Sequence, residues 1–211
     1  MNQQAFWDKA APKYVAGKIE DMQSYIFTLE RTRSYLQPQY QVLEVGCGSG
    51  MTAHKLAPSV REIFGTDISS AMIGYAQKTA AEKGLINAHF VQEDAMLSAE
   101  NKQDFNAILA FNVLHLVKGL PEHLQRYHSM LAPGGFLISK TICLPEKGLN
   151  LKFRTIKAIL PLLKLFGKAP PVYFYKIAAL EKMIERAGFE IVETGNYPAQ
   201  PPRRFIVARK K

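Results

Sequence analysis

The sequence predicts an α/β fold: a doubly wound, mostly parallel sheet of seven strands with a reversed terminal strand and a lid-like helical insertion late in the chain. Three observations carry that prediction. In Gln41 to Met51 (QVLEVGCGSGM) an apolar strand runs straight into a glycine loop, and short apolar runs then alternate with helical patterns along the chain. The last two runs are joined by a connection with no room for a helix, the usual link between antiparallel strands. At 211 residues, 47% hydrophobic and 21% charged, the chain has the length and composition of a single folded domain, 1–211.

Residues Phe6 to Leu36 read as mostly helical, with Tyr25, Ile26, Leu29, Thr32, Arg33 and Leu36 forming a partly apolar stripe that Pro38 ends. The segment FWDKAAPKYVAG, broken by Pro12 and Gly17, completes an amino-terminal helical arm (1–38) expected to pack on the core through Phe6, Trp7 and Tyr14. Val42, Leu43 and Val45 make a first strand that carries Glu44 inside it. Alternate glycines at 46, 48 and 50 let the backbone turn tightly and approach a ligand without Cβ atoms in the way. A second strand, Arg61 to Thr66, ends at Asp67, and Ser69 caps the helix that continues through Met72 and Ala76. A third, Ala88 to Gln92, ends at Glu93-Asp94-Ala95. A fourth, Phe105 to Phe111, ends at Asn112 and leads on to His115. Pro121 opens a helix stopped by Pro133-Gly134-Gly135, and Phe136 to Lys140 is a fifth strand.

From Cys143 to Pro171 no strand is expected, and 143–172 reads as the lid-like insertion. Leu149 to Phe166 has helical character, kinked at Pro161, with Arg154, Lys157, Lys164 and Lys168 on one face and apolar residues over most of the rest. Such an arc fits a lid on the protein's own active-site mouth, an oily substrate, or an anionic membrane surface. A helix over Ile177 to Ala187 with Gly188 as its stop, a sixth strand Phe189 to Thr194 and a reversed seventh, Arg204 to Ala208, close the chain.

The net charge of +9 sits late, and its terminal run, Arg203, Arg204, Arg209, Lys210 and Lys211, is expected to be a solvated tail. No basic start with an apolar core resembles a signal peptide, and no apolar run approaches the roughly 18 to 20 residues of a membrane span, so a cytoplasmic protein is expected. Cys47 and Cys143 supply neither a disulfide framework nor a metal cluster; reduced thiols and no structural metal are expected.

Strand, glycine loop and helix start in that order make a nucleotide-type pocket. Asp67 lies about 20 residues past the loop, the offset of a ribose-binding acid. Gly-Cys-Gly-Ser-Gly is not the G-x-G-x-x-G of nicotinamide folds. VLEVGCGSG, Asp67, Glu93-Asp94-Ala95, FNAILAFNVLHLV and LAPGGFLI instead resemble, in order and spacing, the motifs of class I S-adenosylmethionine-dependent methyltransferases of the small-molecule, quinone-biosynthesis-like kind. The resemblance runs from about Phe6 to Val207 and leaves the insertion uncovered.

This resemblance implies a Rossmann-like fold and S-adenosyl-L-methionine as cofactor. Backbone amides around Gly46, Cys47, Gly48 and Gly50 would hold its methionine end, with Glu44 fixing the loop. Asp67 would take the ribose hydroxyls, Asp94 the adenine amino group and the Ala95 N–H the ring, while Ile68 and Met72 pack on the base. Asn112 would line the methionine side near the methyl group; Tyr14 would close over the cofactor, with Lys18 near its carboxylate. The sulfonium is an activated donor, so alignment, worth ~7 to 11 kcal/mol, outweighs a general base worth about 3 to 5. His115 is the candidate base; His54, His89, His123 and His128 are expected on helix or strand surfaces. The acceptor is expected to be small and apolar or amphipathic. The alternatives are a nucleic-acid or protein substrate, disfavoured for nucleic-acid bases because FNVL stands where N-P-P-Y would, and a non-catalytic cofactor-binding partner.

Overall fold

The structure, a computed structural model, describes residues 3–95, 104–145, 155, 159, 160, 162, 163 and 169–211. Its strands are β1 (Gln41–Val45), β2 (Glu62–Asp67), β3 (Ala88–Gln92), β4 (Phe105–Phe111), β5 (Leu131–Leu144), β6 (Tyr175–Lys176), β7 (Phe189–Asn196) and β8 (Arg203–Lys210). Their order across the sheet is β3-β2-β1-β4-β5-β8-β7, with the short β6 pairing off β5. The chain winds outward from β1 through β2 to β3, then crosses back to lay β4 against β1. That reversal puts a crevice beside the carboxyl ends of β1 and β4, the place where doubly wound sheets bind ligands. β8 runs antiparallel to both β5 and β7, which is the reversed terminal strand expected.

Both faces of the sheet are covered, and side-chain alternation decides which residue goes where. Leu43, Val45, Ile108, Ala110 and Ile206 face a core closed by α5 (Leu120–Met130) and the helix after β6, α6 (Ile177–Arg186). Their neighbours Val42, Ala107, Leu109, Phe205 and Val207 face the opposite core. That core holds Leu29 of α2 (Met22–Arg33), Leu56 of α3 (Met51–Leu56) and Ile73 of α4 (Ser70–Glu82).

Four expectations need correction. Pro12 does not break the arm: it lies inside helix α1 (Gln3–Ala16). The missing N–H orphans the Asp8 carbonyl. The Asp8 carboxylate meanwhile anchors that turn, accepting from the Ser69 hydroxyl at 2.7 Å and the Ala71 N–H at 3.1 Å at the start of α4. The fifth strand does not stop at Lys140 but continues to Leu144, because β8 pairs it from Phe136 to Ile142 and β6 pairs Cys143 and Leu144. The basic terminus is not a tail. Arg204 donates to Glu181 and Arg209 to Glu190, and Lys210 Nζ reaches the Leu131 carbonyl. Finally, His54 and His123 are buried, their rings bonded to the carbonyls of Ala76 and Gly119, each at 2.9 Å. The expected helix Leu149 to Phe166 and its basic face lie mostly outside the described residues. Among the described residues no helix is long and apolar enough to cross a membrane.

Candidate active site

The crevice at the switch point holds two chambers, one of about 630 Å³ and one of about 100 Å³. Tyr14, Gly46, Gly48, Phe111 and Asn112 line both, so they are two ends of one cleft. The smaller end lies over β2 and β3 and gathers Asp67, Ile68, Met72, Asp94 and Ala95. The larger end lies under the α1–α2 connection and takes in Lys18, Glu44 and Cys47. Nearly every site residue expected from the sequence therefore meets in one cleft. Two do not line it: Gly50 sits behind the loop against Phe90 and His54, and His115 lines neither end.

The loop is built so that its backbone stays bare. Gly46 has φ +63°, and a Cβ there would meet Val113 Cγ2 at 2.5 Å. Gly48, at φ +55°, faces open space as far as Tyr14, 3.8 Å from where its Cβ would stand. The Gly48 N–H donates to Asp67 Oδ2 and the Ser69 N–H to Asp67 Oδ1, both at 2.9 Å. The loop and the acid at the end of β2 are thus one hydrogen-bonded unit. Each Asp67 oxygen keeps acceptor capacity beyond these bonds. Burial raises the Asp67 carboxyl above its usual range against the pull of those two N–H donors. Asn112 is the one non-glycine residue with positive φ, +56°, among the described residues, and its N–H donates to the Lys140 carbonyl at 2.7 Å. Asn tolerates that conformation better than most residues, and it concentrates at functional turns.

Glu44 is buried in the first strand, and its Oε2 has no hydrogen-bond partner. Desolvation, helped by the nearby Asp67 charge, pushes its carboxyl up to about 8 although the Ala53 N–H pulls the other way. An orphaned, neutralised acid in a cleft wall is the fit expected where a cationic ligand group supplies the missing charge. Burial likewise raises the Tyr14 phenol and pushes the Cys47 thiol well above its normal range, so Cys47 is an inert wall. His115 is pushed down to about 4, first by burial and then by the Arg203 charge.

Sequence reasoning missed three contributors. Phe111 forms part of the wall common to both chambers, and Lys140 and Arg203 line the larger one. Lys140 carried a signal, a charge closing the apolar run FLIS. Arg203 carried none, because only the register of β8 brings it to the cleft.

A family model described as a methyltransferase domain matches residues 14–194. The chain belongs to this methyltransferase family. It is 28% identical over 163 residues to the ubiquinone biosynthesis O-methyltransferase of Azorhizobium caulinodans, covering 77% of this chain and 64% of that protein. It is also 32% identical over 108 residues to a hybrid PKS-NRPS synthetase of Penicillium oxalicum, covering 48% of this chain but 3% of the synthetase. The chain thus spans less than two thirds of the length of these curated relatives. Among solved structures, the magnesium protoporphyrin IX methyltransferase of Synechocystis with bound SAH superposes with a TM-score of 0.75 at 20% identity, over 99% of this chain and 98% of that one. Membership of the methyltransferase family and the Rossmann-like, mostly parallel sheet expected from the sequence both stand.

Proposed function

We propose that this methyltransferase transfers the methyl group of S-adenosyl-L-methionine to a small, apolar or amphipathic acceptor. The observation that carries the proposal is the two-ended cleft whose common wall is Tyr14, the glycine loop, Phe111 and Asn112. The smaller end suits an adenosine: a paired acid at Asp67 for ribose hydroxyls, Asp94 and the Ala95 N–H for the base edge, and Ile68 and Met72 as apolar faces. The larger end suits the amino-acid portion beside Glu44 and Lys18, with room left over for an acceptor against Tyr25, Leu29 and Phe111.

When bound, the cofactor supplies a sulfonium-activated methyl group. The chain's residues then have three tasks. Gly46 and Gly48 give close backbone approach; Asp67 and Glu44 fix orientation; Tyr14 and Trp7 of α1, held to α4 through Asp8, roof the cleft against water. Holding two reactants in line supplies ~7 to 11 kcal/mol of barrier reduction, the largest contribution asked of this site. A histidine titrating near 4 is neutral at pH 7 and a weak base, so catalysis here rests on alignment and not on proton removal by His115.

The test is a methyl-transfer screen of the purified chain across quinone, phenol, lipid and amine acceptors, read by mass spectrometry. Methylated product with at least one small acceptor is expected. Binding of S-adenosylmethionine with product formed only on nucleic acid or protein would overturn the acceptor class; no binding of S-adenosylmethionine would overturn the whole proposal.

A further inference from the structure

We infer that Lys140 and Arg203 form a subsite in the larger chamber for an anionic head group, a carboxylate or a phosphate, on the acceptor. The inference rests on the methyltransferase function proposed above and names the substrate class within it.

Lys140 lies within β5 between Phe111 of β4 and Phe205 of β8, with its ammonium against Ser24 and Thr28 of α2. Its side chain is buried, and among the described residues Nζ finds only neutral acceptors: Thr28 Oγ1 at 3.1 Å and the Ser24 carbonyl at 3.3 Å. An ammonium has three N–H donors, so one remains. Arg203, at the start of β8, is half-buried and lines the same chamber. Its charge acts on Tyr14, Asp21, His115 and Lys140, so it is felt by groups on both sides of the chamber it lines. Among the described residues neither cation is in an ion pair. The other arginines of β8 are paired, Arg204 with Glu181 and Arg209 with Glu190. Arg203 therefore stands apart from its own neighbours in the strand.

Placing two cations in one cleft with no ion-pair partner among the described residues is costly, and the cost shows at Lys140. Burial first, and Arg203 second, depress its ammonium to about 8, against a smaller opposing pull from Asp21. Other groups do not cancel the excess. Lys13, Lys18, Glu20 and Asp21 also line the chamber, two of each sign, while Glu44 holds its proton below about 8. Asp21 is committed as the cap of α2, accepting from the Ser24 N–H at 2.9 Å. Leu29, Tyr25 and Phe111 supply apolar walls to the same space. A chamber with oily sides and an unneutralised pair of cations recognises an amphipathic anion, and Arg203 offers the forked donor set that a carboxylate or phosphate accepts.

The experiment uses the full chain saturated with S-adenosylhomocysteine and titrates matched probes by calorimetry: 3,4-dihydroxybenzoate against its amide, octanoate against octanamide, and octyl phosphate as the phosphate arm. At least one charged probe is expected to bind about tenfold or more tighter than its neutral partner, and Lys140→Met and Arg203→Gln are each expected to reduce that preference to about twofold or less. Affinity for S-adenosylhomocysteine should stay unchanged in both variants; should Lys140→Met not fold, Arg203→Gln alone decides. At pH 8 the charged probe should also take up protons in the wild type and not in Lys140→Met, seen as a binding heat that varies with the buffer's ionisation enthalpy. Equal affinity for charged and neutral probes in every pair overturns the subsite. So does a variant that loses S-adenosylhomocysteine and keeps the charge preference, which assigns the pair to the cofactor. Failure of the wild type to bind S-adenosylhomocysteine at all marks failure of the methyltransferase proposal instead.

Discussion

The two ends of the cleft differ in how far apart in the chain their walls begin. Beneath a roof of Gln3, Trp7 and Tyr14 from α1, the smaller end is made largely of short stretches at strand ends: Gly46 to Gly48 after β1, Asp67 to Met72 at the end of β2, Glu93 to Ala95 after β3, Asn112 and Val113 after β4. The larger end joins Tyr14 and Asp21 from the arm, Thr28 from α2, Lys140 from β5 and Arg203 from β8. A parallel sheet brings the ends of all its strands to one edge, so residues just past a strand meet there whatever the exact packing. An end assembled from an arm, a helix and an antiparallel strand depends on register, and register is not local. Under the proposed assignment, the adenosine contacts are written in motifs, while the acceptor contacts are written in packing.

The sharpest way to break that contrast is to damage the motif where the fold itself depends on it. Gly46→Ala must place a Cβ 2.5 Å from Val113 Cγ2 while holding φ at +63°. Overpacking and a left-handed conformation together cost about 2 to 5 kcal/mol. Gly48→Ala meets only Tyr14 Cε1 at 3.8 Å and bears the conformational part alone, about 1 to 2 kcal/mol. Denaturant melts should show the first variant losing roughly twice the stability of the second, and equal losses would mean that the loop relaxes away from Val113.

Next in size is Asp67→Ala. It removes the acceptor of the Gly48 and Ser69 N–H groups and the proposed ribose ligand together. Affinity for S-adenosylhomocysteine should fall at least about tenfold by calorimetry, since hydrogen bonds to a charged group are worth roughly 1.5 to 3 kcal/mol. The charged-probe preference assigned to Lys140 and Arg203 should survive in this variant. An unaltered cofactor affinity would remove Asp67 from the site and, with it, the division between the two ends.

What the sequence made legible follows the same line. Strand, loop and acid at β1 and β2 were readable because periodicity marks where a strand stops and chemistry-bearing residues sit just beyond it. The true length of β5 was not: TICL carries apolar character on both faces, and only pairing with β8 and β6 keeps it extended to Leu144. Arg203 sat in a basic run indistinguishable from a solvated tail until the pairing Ile142 with Arg203 brought it beside β5. His54 and His123 were misread for a related reason, since a lone histidine in a helix gives no hint of the carbonyls, at Ala76 and Gly119, that satisfy it when buried.

The smallest expected effect tests the residue that sits in β1 yet lines the packing-built end. Burial pushes the Glu44 carboxyl up to about 8 in the folded chain, from an ordinary 4.5. Between those values the folded state binds more protons than the unfolded one, so stability falls as pH rises across the interval. Glu44→Gln keeps the shape and an acceptor for the Ala53 N–H but cannot ionise. Relative to wild type, its melting temperature without cofactor should be about equal near pH 4.5 and higher by a few degrees at pH 8.5. Cofactor adds a second, opposite expectation. If an ammonium of the ligand supplies the counter-charge for Glu44, binding at pH 7 releases a proton in the wild type and none in the glutamine variant, and the variant binds more weakly. A variant stabilised at high pH that keeps full cofactor affinity would make Glu44 a loop-fixing residue alone, and would leave the acids of the smaller end, Asp67 and Asp94, as those proposed to hold the ligand.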